Sequence, residues 1–547
     1  MLSRLGEVGM LKRWMLICCI VAALGATVPA IAAPNILFFY GDDWGRYASI
    51  YADPDRPSVN DVIKTPNFDR IAREGVLFTN AFYPIPQCAP CRGSLTTGRY
   101  FWNCGKKAFL QPASWQGHED PFLSLPRFGE SLAERGYFVA RSGKTLDLAR
   151  KRQRGLGGSL QTGYNPDRYG HQLNRGERLK LHADLTDEEI AYARGEMEKR
   201  ARGFMTQLVK EASGKPFFWV FGPIGVHRPY VNGSGKRFWG IEADAFRGRI
   251  PTFLPDQHEI RSDYADYFGE VQSLDWMMGL FMEELTRAGL LKNTLIVASG
   301  DNGMPGMPRG KTQLYDLGIA APLMVRWPGK VKPGRVVDDF INLMDVAPTF
   351  IEAGGGTPPA SMEARSFLPQ LLSDKSGQID PARDFVVVGR ERHVKTARQE
   401  NMPYPARAIR TKDFLYIRNF KPDRWPMGDP WGLDGFPERV LTGKGDGPSG
   451  PFPDWDSSPT KTWFLAHRRD DKLGKWLMDL AVGRRPAEEL YDLAKDPDQV
   501  KNVASVARYA QVKKGLANRL MKVLKDSGDP RLSDAFDAPP YVDRAQK

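Results

Sequence analysis

The sequence predicts an α/β fold, a mainly parallel sheet flanked by helices, followed by a smaller C-terminal α+β part built on an antiparallel sheet. Two observations predict the larger part. Continuous apolar runs of five or six residues recur and suit strands buried on both faces. Between them lie segments with apolar residues at three- and four-residue spacing, the period of an amphipathic helix. A third observation predicts the smaller part: past Leu372 the apolar runs shorten and alternate with turn-forming stretches. At 547 residues the chain exceeds what one core accommodates, so a large and a small domain are expected.

In chain order, Asn35–Tyr40 reads as the first buried strand and ends at Gly41, Asp42 and Asp43. Helical spacing follows over Phe68–Glu74 and Leu123–Gly136, then a strand at Tyr137–Ala140. Pro216–Phe221 is the next strand, Tyr264–Gly289 a long helix, and Thr294–Ala298 and Pro322–Arg326 two more strands. Ser373–Gln378 is a polar linker. Phe385–Val388, Ala408–Arg410 and Phe414–Arg418 read as short antiparallel strands, Asn419–Trp463 as irregular surface rich in Pro, Gly and Trp, and Ala507–Asp526 as a final helix. This divides the chain into residues 1–32, 33–378 and 379–547. In sheets of the first kind, chemistry gathers beyond the carboxyl ends of the strands.

Residues 1–32 carry Arg4, Lys12 and Arg13, an apolar run from Trp14 to Val28, and Ala30-Ile31-Ala32. That order of charge, apolar run and small-residue cleavage site reads as a secretory signal, so a secreted or periplasmic protein is expected. The run is short for a membrane span, and no stable membrane anchor is expected. The formal charge is +12, and removing three basic residues and one acidic residue with the signal leaves +10. Such a field steers anionic partners towards the protein. No zinc-finger spacing or basic-aromatic repeat points to nucleic acid, which is not expected as a partner. Cys18 and Cys19 fall in the signal, leaving Cys88, Cys91 and Cys104. An odd thiol in an oxidising compartment is one reserved for chemistry, with Cys91 and Cys104 a candidate pair.

Asp42 and Asp43 end one predicted strand, and Asp301 and Asn302 end another. Three carboxylates and an amide at one sheet edge suit a hard divalent cation such as Ca²⁺. Taken singly, each pair also suits a turn or helix cap. The segment CAPCRGSLTTGR, Cys88 to Arg99, carries the most specific signal. A Cys-x-x-Cys alone would fit a redox pair or half a zinc site, but no second pair exists. The whole segment closely resembles the signature of the type I sulfatases, Cys-x-Pro-Ser-Arg followed by Leu-Thr-Gly-Arg. It departs from that pattern at Cys91, where serine is usual.

The resemblance extends over nearly the whole chain beyond the signal, through Thr65–Arg70, Asn342–Thr349, Glu489–Leu493 and Asp496-Pro497. Gly300–Pro305 and Tyr404–Arg410 look closest to the heparan N-sulfatase, or sulfamidase-like, branch. It implies an alkaline-phosphatase-like fold and a sulfuric ester hydrolase acting on a sulfated polysaccharide or oligosaccharide, as O- or N-sulfatase. It also implies that a maturation enzyme converts Cys88 to Cα-formylglycine, whose hydrate attacks sulfur. One Ca²⁺ per chain would be held by Asp42, Asp43, Asp301 and Asn302 with residue 88. Arg92, Lys144 and Lys311 would neutralise the sulfate oxygens, and His227 would protonate the leaving group. The family's second histidine, expected just after Lys144, is replaced by Leu146 and Asp147. Arg390–His393, Trp115, His118, Tyr230 and Trp425–Trp431 are candidates for contacting a sugar. The rival readings are a phosphonate or phosphate monoester hydrolase of the same superfamily and a non-catalytic relative that binds sulfated glycan.

Overall fold

The computed structural model describes residues 33–111, 115, 117–144, 146–148, 158–159, 186–230, 232–435 and 450–542. The expected signal, residues 1–32, lies outside them. Strand β1 (Asn35–Gly41) is apolar throughout because both its faces are covered. Leu37 and Phe39 join one apolar cluster with Trp219, Phe221 and Phe281. Ile36, Phe38 and Tyr40 join a second with Phe218, Val220 and Phe350. Burying a large apolar side chain stabilises the fold by about 1.5–3 kcal/mol, so such a doubly covered strand cannot be exchanged for a half-polar one.

The other strands of the larger part are β2 (Val76–Phe78), β3 (Ala81–Phe82), β4 (Phe138–Gly143), β5 (Gly158–Ser159), β6 (Phe217–Gly222), β7 (Thr294–Gly300), β8 (Leu323–Arg326), β9 (Arg335–Val337) and β10 (Ile341–Asn342). Eight of them form one sheet in the order β5-β4-β6-β1-β7-β8-β2-β9, and β3 pairs with β10. Neighbours run parallel except at β8, which is antiparallel to both β7 and β2. The Pro322–Arg326 run looks like the others in sequence, yet the return from β7 contains only the four-residue helix Asp316–Ile319. Four residues of helix rise only about 6 Å, too little to carry the chain back along the sheet, and β8 runs antiparallel.

Helices cover both faces. Over the first cluster lie α1 (Pro66–Arg73), through Phe68 and Ile71; α4 (Asp187–Ala212), through Phe204 and Leu208; and α5 (His258–Arg287), through Leu274, Met278 and Phe281. Over the second lie α2 (Cys88–Thr97), through Cys91 and Leu95; α3 (Phe128–Glu134), through Phe128 and Leu132; and α6 (Val346–Ala353), through Phe350 and Ile351. Helix α3 is shorter than the expected Leu123–Gly136 because Pro126 turns the preceding residue away from helical geometry.

The C-terminal sheet is antiparallel throughout, in the order β11 (Phe385–Arg390), β12 (Ala406–Thr411), β13 (Phe414–Asn419) and β14 (Glu488–Asp492). Its Val387, Ile409, Tyr416 and Leu490 extend the second apolar cluster, while Val386, Val388, Leu415 and Tyr491 pack with Phe82 and Ile319. Residues 34–547 thus belong to one compact unit. The Asn419–Trp463 stretch differs from a plain irregular surface. Phe452 and Trp455 are buried, and a helix capped by Ser458 begins at Pro459. Cys91 and Cys104 are free thiols, so the candidate disulfide is not formed; Cys91 Sγ lies 3.3 Å from the Tyr40 hydroxyl and Cys104 Sγ 3.5 Å from that of Thr97.

Candidate active site

Strand register builds the site. Gly41 of β1 pairs with Gly300 of β7, so Asp42 and Asp43 leave the sheet beside Asp301 and Asn302. Gly143 of β4 pairs with Gly222 of β6, which sets Lys144 at the same edge. Glycine is required at two of these exits by close approach. A Cβ on Gly300 would stand 2.2 Å from the Trp44 carbonyl oxygen, and one on Gly222 would stand 2.1 Å from that of Lys144. Asp43 adopts a left-handed backbone (φ 54°), and its N–H donates to Asp301 Oδ1 at 2.8 Å. That hydrogen bond ties the two strand ends together.

Cys88 opens helix α2 against this edge, and Pro90 is tolerated because the first helical turn has no N–H partner to lose. The Cys88 Sγ lies 3.5 Å from Asn302 Oδ1 and 3.7 Å from Asp43 Oδ1. One turn on, Arg92 donates to Asp301 through Nε (3.0 Å) and Nη2 (2.7 Å), and to Asp42 at 3.0 Å. Lys144 Nζ meets the Asp42 carboxylate at 2.7 Å, and Lys311 Nζ meets Asp43 Oδ2 at 2.9 Å. Three carboxylates with no exposure are thus interleaved with three cations.

Burial opposes charge on Asp42, but Lys144, Arg92 and His227 hold its carboxyl well below the ordinary range. Asp301 has no lysine of its own at contact distance, and burial pushes it up to about 7. The Cys88 thiol is pushed up by burial despite Lys144 and Lys311. As encoded, residue 88 is a neutral thiol and a poor nucleophile.

Ligand atoms of Asp42, Asp43, Cys88 and His227 all lie within 4.8 Å of one another. With Asn302 Oδ1 beside Cys88, the donors are chiefly buried carboxylate and amide oxygens, a set that fits a hard divalent cation. His227 Nδ1 is 2.7 Å from the Arg228 carbonyl oxygen. A carbonyl only accepts, so Nδ1 carries a proton and Nε2 is left to serve the site.

Every predicted site residue (Asp42, Asp43, Cys88, Arg92, Lys144, His227, Asp301, Asn302 and Lys311) therefore converges on this edge. The sugar-contact candidates mostly do not. Arg390 pairs with Asp454, Glu391 with Arg407 and Arg531, and Arg392 donates to the Gln111 carbonyl. Trp115 packs on Tyr541, and Tyr230 donates to the Val226 carbonyl. Leu146 is core, and Asp147 pairs with Lys107 at 2.8 Å, so neither fills the place of a second histidine.

One residue at the site, Asp456, is not among the sequence candidates, and a second, His393, is a sugar-contact candidate that the structure brings near Lys311. Asp456 Oδ2 lies 3.1 Å from Lys311 Nζ, and His393 is buried within electrostatic reach of Lys311, Asp456 and Asp43. Burial, then Lys311, lowers the His393 pKa to about 4. The only sequence signal was the acidic pair flanking Trp455 in Asp454-Trp455-Asp456, inside a stretch that lacks periodicity.

The family model described as Sulfatase matches residues 34–356, and a second, described as N-sulphoglucosamine sulphohydrolase, C-terminal, matches residues 310–430. An ulvan-active sulfatase of Formosa agariphila is 25% identical over 505 residues, covering 91% of this chain and 75% of its own. Human N-sulphoglucosamine sulphohydrolase is 26% identical over 531 residues, covering 91% of each chain. Among solved structures, the phosphonate monoester hydrolase of Agrobacterium radiobacter superposes with a TM-score of 0.58 at 16% identity, covering 91% of this chain and 97% of that one. The last likeness speaks for the alkaline-phosphatase-like fold alone, since one fold hosts several chemistries.

Proposed function

The chain belongs to the sulfatase family, its sulfamidase-like branch, and from that premise we propose that it is an exported enzyme releasing sulfate from a sulfated polysaccharide or oligosaccharide. It is a sulfuric ester hydrolase. The observation that carries the reading is the contact of Cys88 Sγ with Asn302 Oδ1 and Asp43 Oδ1 at the meeting point of strands β1 and β7. The C-terminal match to N-sulphoglucosamine sulphohydrolase and the likeness to ulvan-active sulfatases support a saccharide substrate. Residues 33–378 would then be the catalytic domain and 379–547 a C-terminal subdomain.

In this reading residue 88 is oxidised by a maturation enzyme to Cα-formylglycine, and Asp42, Asp43, Asp301 and Asn302 hold a Ca²⁺. When bound, these groups supply a hydrated aldehyde as nucleophile and a Lewis acid that lowers the pKa of its hydroxyl. The chain's own residues do the rest. Arg92 braces Asp42 and Asp301 so that the acids of two strands stay aligned. Lys144, with about a third of its side chain exposed, and Lys311 receive the sulfate oxygens, whose charge grows in the transition state. His227, with Nδ1–H held by the Arg228 carbonyl, would act from its imidazolium form, delivering the second proton from Nε2 to the departing oxygen or nitrogen and returning to the neutral ring.

The test is sulfate release scanned over defined N- and O-sulfated glucosamine oligosaccharides and ulvan, with mass spectrometry of the peptide containing residue 88. Release from at least one saccharide, with an aldehyde mass at residue 88, is the expected result. An active preparation with only unmodified thiol would sink the mechanism, and no release from any sulfated saccharide would sink the substrate class.

A further inference from the structure

Asp456 has no part in the mechanism above, yet the fold goes to some length to place it. The preceding Asp454 is held by Arg398 at 2.9 Å, by the Val394 N–H at 2.9 Å and, through its carbonyl, by the Thr312 hydroxyl at 3.2 Å. Trp455 Nε1 donates to the Gly306 carbonyl at 3.0 Å, and Ser458 Oγ donates to the same oxygen at 2.8 Å. Between these anchors, Asp456 reaches Lys311 Nζ at 3.1 Å.

Asp43 already sits on the same ammonium at 2.9 Å. Asp42, Asp43 and Asp301 would hold the divalent cation in the reading above, whereas Asp456 pairs with Lys311 and is not among those ligands. It also differs from the others in access. The side chains of Lys311 and Asp43 are 2% and 0% exposed, whereas that of Asp456 is 23% exposed. Asp456 is therefore the open end of the row Asp43–Lys311–Asp456. Burial opposes its charge, but Lys311 holds its carboxylate ionised.

We infer that Asp456 is a specificity-determining residue that makes the site select a monoanionic sulfate ester over a dianionic phosphate ester. The physical reason is the linear dependence of Coulomb energy on charge: a fixed carboxylate at the mouth repels a dianion twice as strongly as a monoanion of the same shape. The fold itself does not discriminate, since sulfate and phosphate esters are isosteric. A fixed negative charge beside Lys311 does, and it acts in a poorly screened setting because its neighbours are buried. This inference rests on the sulfatase reading and adds to it which anion the site rejects.

The experiment compares kcat/KM for 4-nitrophenyl sulfate and 4-nitrophenyl phosphate in the wild-type protein, Asp456→Asn and Asp456→Glu, above about pH 7, where the phosphate ester is dianionic. The phosphate ester is also measured as a competitive inhibitor of sulfate release. In Asp456→Asn the phosphate-to-sulfate ratio of kcat/KM should rise on the order of tenfold, and the inhibition constant of the phosphate ester should fall. Asp456→Glu, which keeps the charge, should keep the wild-type ratio. If Asp456→Asn lowers both activities by the same factor with an unchanged inhibition constant, Asp456 merely braces Lys311 and the inference is overturned. A wild-type enzyme inert on every sulfate ester would overturn the sulfatase reading, and this inference with it.

Discussion

Replacing His227 by glutamine separates a general acid from a mere pocket residue. The structure sets the size of the effect. His227 Nδ1 is committed to the Arg228 carbonyl at 2.7 Å, which leaves Nε2 without that tie. One of its ring nitrogens lies within 4.8 Å of Cys88 Sγ and of the Asp42 and Asp43 oxygens, close enough for an ester oxygen to stand between. Glutamine can still hydrogen-bond but cannot deliver a proton. General acid catalysis contributes about 10²–10⁴ in rate, or about 3–5 kcal/mol of barrier. A saccharide leaves as a strongly basic alkoxide or amine, so His227→Gln should lower kcat for it by about 10²–10⁴. 4-Nitrophenolate departs without help, and its kcat should fall by less than about tenfold. The assay is steady-state kinetics on both substrates, with thermal unfolding as a check on the fold. Equal losses on the two substrates would refute the assignment, because a residue that only positions sulfate affects both alike.

Cys88→Ser should abolish turnover while leaving the melting temperature within a few degrees of wild type, measured by sulfate release and calorimetry; near-normal activity would contradict a nucleophile made from this cysteine. Glu391→Gln should destabilise the protein by about 3–5 kcal/mol in a denaturant titration, because Glu391 lies fully buried between Arg407 and Arg531 and its loss leaves both guanidinium groups short of a counter-charge. A loss below about 1 kcal/mol would show that Asp529 and Asp537 compensate. His393 has its pKa lowered to about 4 by burial and then by Lys311. Its contribution is complete above the unfolded value of about 6.5 and is lost as the pH falls through about 4, about 3 kcal/mol in all. Unfolding temperature followed from neutral to acid pH should therefore fall more steeply in the wild type than in His393→Gln, and parallel curves would argue against the depressed value.

Local sequence determined a good deal of this protein. The doubly buried strands at Asn35, Phe217 and Thr294 were legible because apolar runs on both faces of a sheet leave no other placement. Most of the candidate site residues were legible because Asp42, Asp43, Asp301, Asn302 and Lys144 come at strand ends and the Cys88–Arg99 segment combines several rare features at fixed spacing. Tertiary structure decided the rest. The direction of β8 depends on how the connection before it folds, with only the short helix Asp316–Ile319, which the strand's own composition does not encode. Arg390, Glu391 and Arg392 resemble sugar-binding charges in sequence, but their partners Asp454, Arg531 and Gln111 come from distant parts of the chain. Asp456 illustrates the limit most clearly. It belongs to an aperiodic stretch, and its proximity to Lys311, 145 positions earlier, arises only when the anchors of Asp454, Trp455 and Ser458 close on the completed site. Strand and motif are short-range properties carried by neighbouring residues, whereas charge balance in a buried site is a sum over the whole folded chain.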